Sequence, residues 1–183
     1  GVPVVRYISV PLGRELLHDL AAMPHDTPVD LLVHLPPGLI TDTEAVARVL
    51  AARSGRVTLV VPEQACSGGL LLALAADEVL MGKEARIGAV DLKLEGRAAG
   101  EVLRARRSEQ AAMLLARMRA RTWRHDEPLS PAELRECGIK VRTALGQEWT
   151  RCLARFPQPE AGRTGPVLLR LPSSVRRPRP PKL

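Results

Sequence analysis

The chain has 183 residues, 45% of them hydrophobic and 26% charged, which is the composition of a globular protein of one domain. Aromatic residues make up 2%, so aliphatic side chains must build the core. No apolar stretch approaches the length that crosses a bilayer, so we expect a soluble segment. Because the chain begins with Gly1 rather than Met, we expect it to be part of a longer chain. We expect any membrane contact to be made by a segment that is not part of this chain. The sequence leaves open whether the full-length protein is cytoplasmic or membrane-anchored.

The charge is strongly uneven along the chain. The net charge is +7, and the last eight residues, RRPRPPKL, contain three Arg and one Lys. Such basic ends are usually solvated, and the chain has almost no aromatic residues to stack on bases. We therefore expect no nucleic-acid binding, with this tail as the weak alternative. The three cysteines lack metal-ligand spacing, so the sequence predicts no disulfide framework, no metal site and no cofactor.

Strand and helix patterns alternate along the chain. Buried strands are predicted from the apolar runs VDLLVHL and RVTLVVP, and shorter strands from the first ten residues, DEVLMG, ARIGAV and KVRTAL. Helices are predicted over LGRELLHDLAAM, TDTEAVARVLAARS (capped by Thr41 or Thr43 and ended by Gly55), GGLLLALAA, residues 98–121, PAELRE with Ser130 as N-cap, and QEWTRCLARF. This alternation predicts an α/β fold, a parallel sheet covered by helices, over residues 1–159. Residues 160–183 form a Pro- and Arg-rich tail, expected to be extended or partly disordered.

The segment ACSGG, between a buried strand and an apolar helix, has two interpretations. Ser67 could cap the helix, which serine does well. It could instead be a nucleophile, with the backbone N–H of Gly68 stabilising a developing oxyanion. A second turn, HLPPGL, follows another buried strand and could supply a further backbone donor at Gly38. Two such turns at neighbouring strand ends would form half of an acyl-transfer site.

Four stretches together resemble one protein family: VDLLVHLPPGL, VTLVVPEQACSGGLLLALAADEVLMG, ARIGAVDLKL and TWRHDEPLSPAELRECGIKV. They are similar to the serine dehydrogenase proteinase family, within the group that has the fold of Clp protease and signal peptide peptidase A. The resemblance implies the Clp–crotonase spiral of parallel strands covered by helices. It also implies a serine peptidase with Ser67 as nucleophile and Gly68 as an oxyanion donor, acting on a peptide or protein as a homo-oligomer.

The chain departs from the family pattern at the oxyanion turn. Where the family has Pro-Gly-Gly, this chain has Pro36, Pro37 and Gly38. Proline has no backbone N–H, so Pro37 removes the donor if it is the amide at that position. If Gly38 is the donor, the oxyanion hole survives with altered geometry.

The general base is the second departure, because no His or Lys stands where relatives place it. Arg104 occupies the position where a lysine is expected, and arginine stays protonated. The candidates are Lys93, if it is buried and deprotonated, and His125 with Asp126. A solvated Lys93 and a structural loop around His125 are the plainer interpretations.

Four other residues weigh less in the search for catalytic groups. His34 ends a buried strand and is predicted to be a core histidine, and His18 and His25 are predicted at the surface. Cys66 could act as a nucleophile but is more simply a small buried residue. Two functions therefore stand: a serine peptidase-like hydrolase, or a catalytically impaired pseudopeptidase that serves as an assembly or peptide-binding module.

Overall fold

The computed structural model describes residues 5–10, 14–35, 42–66, 68–88, 101–102, 116, 128–147, 149, 151 and 167–171. Strands and helices alternate along the first half of the chain, as predicted. The elements, in chain order, are β1 (Val5–Val10), α1 (Arg14–Ala22), β2 (Val29–Val33), α2 (Thr43–Ala51), β3 (Val57–Val61), β4 (Gln64–Ala65), α3 (Gly69–Ala75), β5 (Glu78–Met81), β6 (Arg86–Gly88), β7 (Pro128–Leu129), α4 (Pro131–Glu136), β8 (Val141–Arg142) and β9 (Val167–Leu171).

Two sheets organise these strands. The larger has the order β8-β5-β3-β2-β1-β9, and all its neighbouring strands run parallel except β9, which is antiparallel to β1. The smaller has the order β4-β6-β7, with β4 parallel and β7 antiparallel to β6. The predicted parallel sheet is thereby confirmed. Helices connect the first strands, so the carboxyl ends of β2 and β3 lie side by side at one edge.

The core lies mainly between the large sheet and the helices α2 and α3. Every residue of β2 and β3 is buried, which explains why both strands appear in the sequence as unbroken apolar runs. All seven residues of α3 are buried as well. A smaller apolar cluster covers the opposite face of the sheet, where Trp149 packs with Leu32 and Val60. The central strands are therefore enclosed on both faces, which holds their carboxyl ends in place.

Several boundaries differ from the predictions. The N-cap of α2 is Asp42, without a side-chain cap hydrogen bond, so the prediction of a cap at Thr41 or Thr43 is wrong. Thr43 is the first helical residue, and its buried side chain packs against Gly68 instead. The two-residue strands β4 and β7 were not predicted, because so short a segment carries no alternating pattern. By contrast, Ser130 caps α4 as predicted, with a full capping box to Glu133.

The second half of the chain is described in part. Residues 101, 102, 116, 147, 149 and 151 are helical, and the rest of the two long helices predicted there lies outside the described residues. In the tail, residues 167–171 form β9, an extended strand whose backbone pairs with β1.

Candidate functional site

The ends of β2 and β3 lead into two segments that are hydrogen-bonded to each other. Leu35, just after β2, forms a parallel bridge with Ala65 of β4. The backbone N–H of Leu35 donates to the Gln64 oxygen (3.0 Å), and the N–H of Cys66 donates to the Leu35 oxygen (2.8 Å). The second of these bonds lies one residue before Ser67. Leu35, the residue before position 36, is therefore joined by backbone hydrogen bonds to the segment that leads to the serine.

The residue after the serine has a backbone conformation that favours glycine. Gly68 has φ 85° and ψ 7°, the values of the third residue of a type II turn. The N–H of Gly69 donates to the Cys66 oxygen (3.3 Å) and closes a four-residue turn from Cys66 to Gly69. Gly68 is also the N-cap of α3, so Ser67 precedes the capping position. The capping position of α3 is thus assigned to Gly68, and the side chain of Ser67 lies outside the described residues.

The starts of α2 and α3 pack closely around this turn. A Cβ atom on Gly68 would lie 2.7 Å from Cγ2 of Thr43, and one on Gly69 would lie 2.9 Å from Cβ of Ala65. Real Cβ contacts are longer than 3.0 Å, so both positions require glycine. Leu35 and Thr43 lie on either side of residues 36–41 in the sequence. They contact Cys66 and Gly68, respectively, which lie on either side of Ser67 in the sequence.

A buried histidine lies beside these two segments. His34 is 5% exposed, as predicted for a core position. Its Nδ1 lies 3.6 Å from Oε2 of Glu63, and its Nε2 lies 3.5 Å from Nε2 of Gln64. Burial lowers the pKa of His34 below 6.5, and the nearby Glu63 carboxylate opposes this effect without cancelling it. The imidazole is therefore neutral at pH 7.

The thiol beside Ser67 is poorly suited to nucleophilic attack. Cys66 is partly buried, and this burial raises the pKa of its thiol. Because the thiolate is the reactive form, a raised pKa leaves the group protonated and inert at neutral pH. The two remaining histidines of the described segments, His18 and His25, are exposed, as predicted.

Most of the predicted catalytic residues lie outside the part of the chain that the structure describes; of the predicted set, Gly68 lies within it. The others are Ser67, Gly38, Lys93, His125 and Asp126, and the two departures from the family pattern, Pro37 and Arg104, lie outside the described residues as well. The sequence analysis missed Thr43 as the packing partner of Gly68, because nothing in the sequence links two residues 25 positions apart. It also missed the contacts that His34 makes with Glu63 and Gln64.

Comparison with known protein families shows which family this chain belongs to. The model of the ClpP-like SDH-type serine proteinases matches residues 1–114, which is more than half of the chain. The chain belongs to this family. The matched region includes Ser67, Gly68, Lys93 and the turn at 36–38, whereas His125 and Asp126 lie beyond it. The resemblance inferred from the sequence motifs is thereby confirmed.

Individual relatives are distant from this chain. An uncharacterized protein of the archaeon Methanocaldococcus jannaschii is 28% identical over 213 residues, which cover 96% of this chain and 73% of that protein. Among solved structures, ThnE from S. clavuligerus superposes with a TM-score of 0.51 at 17% identity, covering 85% of this chain and 80% of that one. ClpP1 from Listeria monocytogenes gives a TM-score of 0.49 at 16% identity, covering 79% of this chain and 93% of that one.

The fold class follows from these findings together. The parallel sheet with its covering helices, the ClpP-like family model and the superposition on ThnE identify the Clp–crotonase type of α/β fold. Within the described segments, no helix combines the length and the apolar character that spanning a bilayer requires.

Proposed function

We propose that the protein is a serine hydrolase that cleaves peptide bonds through an acyl-enzyme on Ser67. Membership of the ClpP-like serine proteinase family supports a peptidase-like hydrolase. The observation that carries the finer proposal is the turn from Cys66 to Gly69, in which Gly68 has a positive φ and occupies the capping position of α3. With the cap at Gly68, the hydroxyl of Ser67 is not needed for helix capping.

The reaction follows the chemistry of serine acyl transfer. The Ser67 oxygen attacks the carbonyl carbon of the scissile bond, and its proton passes to a general base, which then protonates the leaving amine. Water later attacks the ester and the base takes a proton from that water. The base returns this proton to the Ser67 oxygen as the acyl–oxygen bond breaks, which releases the product acid and regenerates the serine hydroxyl. The amides of Gly68 and Gly38 are the proposed donors to the oxyanion. Lys93, and His125 with Asp126, are the proposed candidates for the base.

The family position of Ser67 makes covalent labelling a direct test. Incubation of the full chain with a fluorophosphonate probe between pH 6 and pH 9 is expected to modify Ser67, located by mass spectrometry of the tryptic peptide. Ser67→Ala is the control, and in that variant the modification must disappear. If the folded chain shows no labelling at any pH in this range, the hydrolase proposal is abandoned. The pseudopeptidase would then be the remaining function.

Pro37 and Arg104 are the two features of the sequence that favour the impaired alternative. If the missing amide at position 37 is an oxyanion donor, Pro37→Gly restores it, and the labelling rate is expected to rise by about 100- to 1,000-fold. If Gly38 is the donor, the rate of this variant stays within a few-fold of the parent. Pro36→Gly is the matched control, because it removes the neighbouring proline.

A further inference from the structure

The imidazole of His34 connects the two segments that flank the proposed active site. It precedes Leu35 in the sequence, while its two ring contacts, Glu63 and Gln64, belong to the segment that leads to Ser67. The same two segments are joined by the backbone bonds of Leu35 to Gln64 and Cys66. We therefore expect a change at the ring to affect these backbone hydrogen bonds, the last of which involves Cys66, one residue before Ser67.

The contacts favour one tautomer of the ring. A carboxylate at 3.6 Å favours a proton on Nδ1, because a bare nitrogen lone pair would face the negative charge of Glu63. Nε2 then carries the lone pair and accepts from the Gln64 amide at 3.5 Å, a long hydrogen bond. Among the described residues, Glu63 is the charged side chain that contacts the ring. The neutral form is therefore the one that engages both partners.

Protonation would remove one of these two contacts. The imidazolium has no lone pair, so the N–H of the Gln64 amide would face an N–H of the ring. At the same time the attraction to Glu63 would strengthen and draw the ring toward the exposed carboxylate. The ring would be released from Gln64, the residue whose backbone oxygen accepts from Leu35.

We propose that neutral His34 is a positioning residue that holds Leu35 against the Gln64–Cys66 segment, which leads to Ser67, and that protonation of its ring slows attack by Ser67. This inference rests on the function proposed above. A role as general base is less consistent with the contacts, because both ring nitrogens face residues 63 and 64 and the ring is 5% exposed. A base needs a nitrogen that faces the hydroxyl.

The test compares fluorophosphonate labelling rates of the full chain and His34→Gln between pH 4.5 and pH 9. Glutamine keeps a donor and an acceptor but does not titrate. The parent rate is expected to fall with pH below 6.5, because the pKa of His34 is lowered from that value. In His34→Gln the part of this fall that is due to His34 is expected to disappear. The labelling rate of the variant at pH 8 is expected to stay within about tenfold of the parent rate. His18→Gln, at an exposed position on α1, is the control that keeps the parent profile.

A second measurement does not depend on the variant folding. Long-range ¹H–¹⁵N spectra of the parent protein report the tautomer and titration of each histidine, and His34 is expected to carry its proton on Nδ1 and to have a pKa lowered from 6.5. The midpoint should coincide with the fall in labelling, and a His34 that titrates elsewhere overturns the inference.

The outcomes separate this inference from the proposed function. A folded His34→Gln that keeps the parent profile overturns the inference and leaves Ser67 as the nucleophile. A folded variant that does not label at any pH also overturns it, since His34 would then be the base. If the parent chain itself does not label, both proposals fail.

Discussion

Gly68→Ala tests the geometry of the site through protein stability, without reference to catalysis. An L residue at φ 85° costs about 1–2 kcal/mol relative to glycine. The added methyl group would also lie 2.7 Å from Cγ2 of Thr43, and overpacking of this kind costs about 1–3 kcal/mol. We therefore expect the free energy of unfolding to fall by about 2–5 kcal/mol, measured by urea denaturation with an unchanged m-value.

The chain offers a matched control for the backbone part of this cost. Gly138 follows α4 with φ 93° and is exposed, so Gly138→Ala should lose about 1–2 kcal/mol from conformation alone. The excess cost at Gly68 then measures the contact with Thr43. Thr43→Ser removes Cγ2, and in the double variant it should recover about 1 kcal/mol of that excess. If Gly68→Ala costs no more than Gly138→Ala, or if Thr43→Ser recovers nothing, the close packing of the two helix starts is refuted.

Three further predictions concern separate parts of the fold. Ser130→Ala removes the capping box of α4 and should lower the free energy of unfolding by about 1 kcal/mol, whereas Ser54→Ala, at an exposed turn, should change it by less than about 0.5 kcal/mol. Glu78→Gln should lower the free energy of unfolding by about 1–2 kcal/mol, because the Glu78 carboxylate is 4% exposed and bonds the partly solvated Arg56 and Arg142. Glu44→Gln, at an exposed position, is the control, and an equal effect of the two variants would contradict this prediction. Iodoacetamide should modify Cys66 at pH 7 more slowly in the folded chain than in urea, and the folded-state rate should still rise above pH 8, because burial raises the pKa of the thiol. Mass spectrometry measures the rate of Cys66 modification, and equal rates in the folded and unfolded chains would show that the thiol is not protected.

The local sequence predicted those elements whose residues carry a strong pattern of their own. The apolar runs of β2 and β3 require burial on both faces, which in turn predicts a parallel sheet. Ser130, Pro131 and Glu133 define the start of α4 within four residues. The two-residue strands β4 and β7 have no such pattern, because they form through their partners rather than through their own composition.

At the candidate site, the sequence and the tertiary structure determined different things. The order Ser67, Gly68, Gly69 before an apolar run predicted, by family resemblance, that Ser67 is the nucleophile and Gly68 an oxyanion donor. The tertiary structure decided what surrounds that position: Leu35 bonded to Cys66, Thr43 packed on Gly68, and His34 held between Glu63 and Gln64. Each of these contacts joins residues that are 25 or more positions apart in the sequence. Their formation depends on the parallel pairing of β2 with β3 and on the packing of α2 against α3, which are properties of the folded chain and not of any local segment.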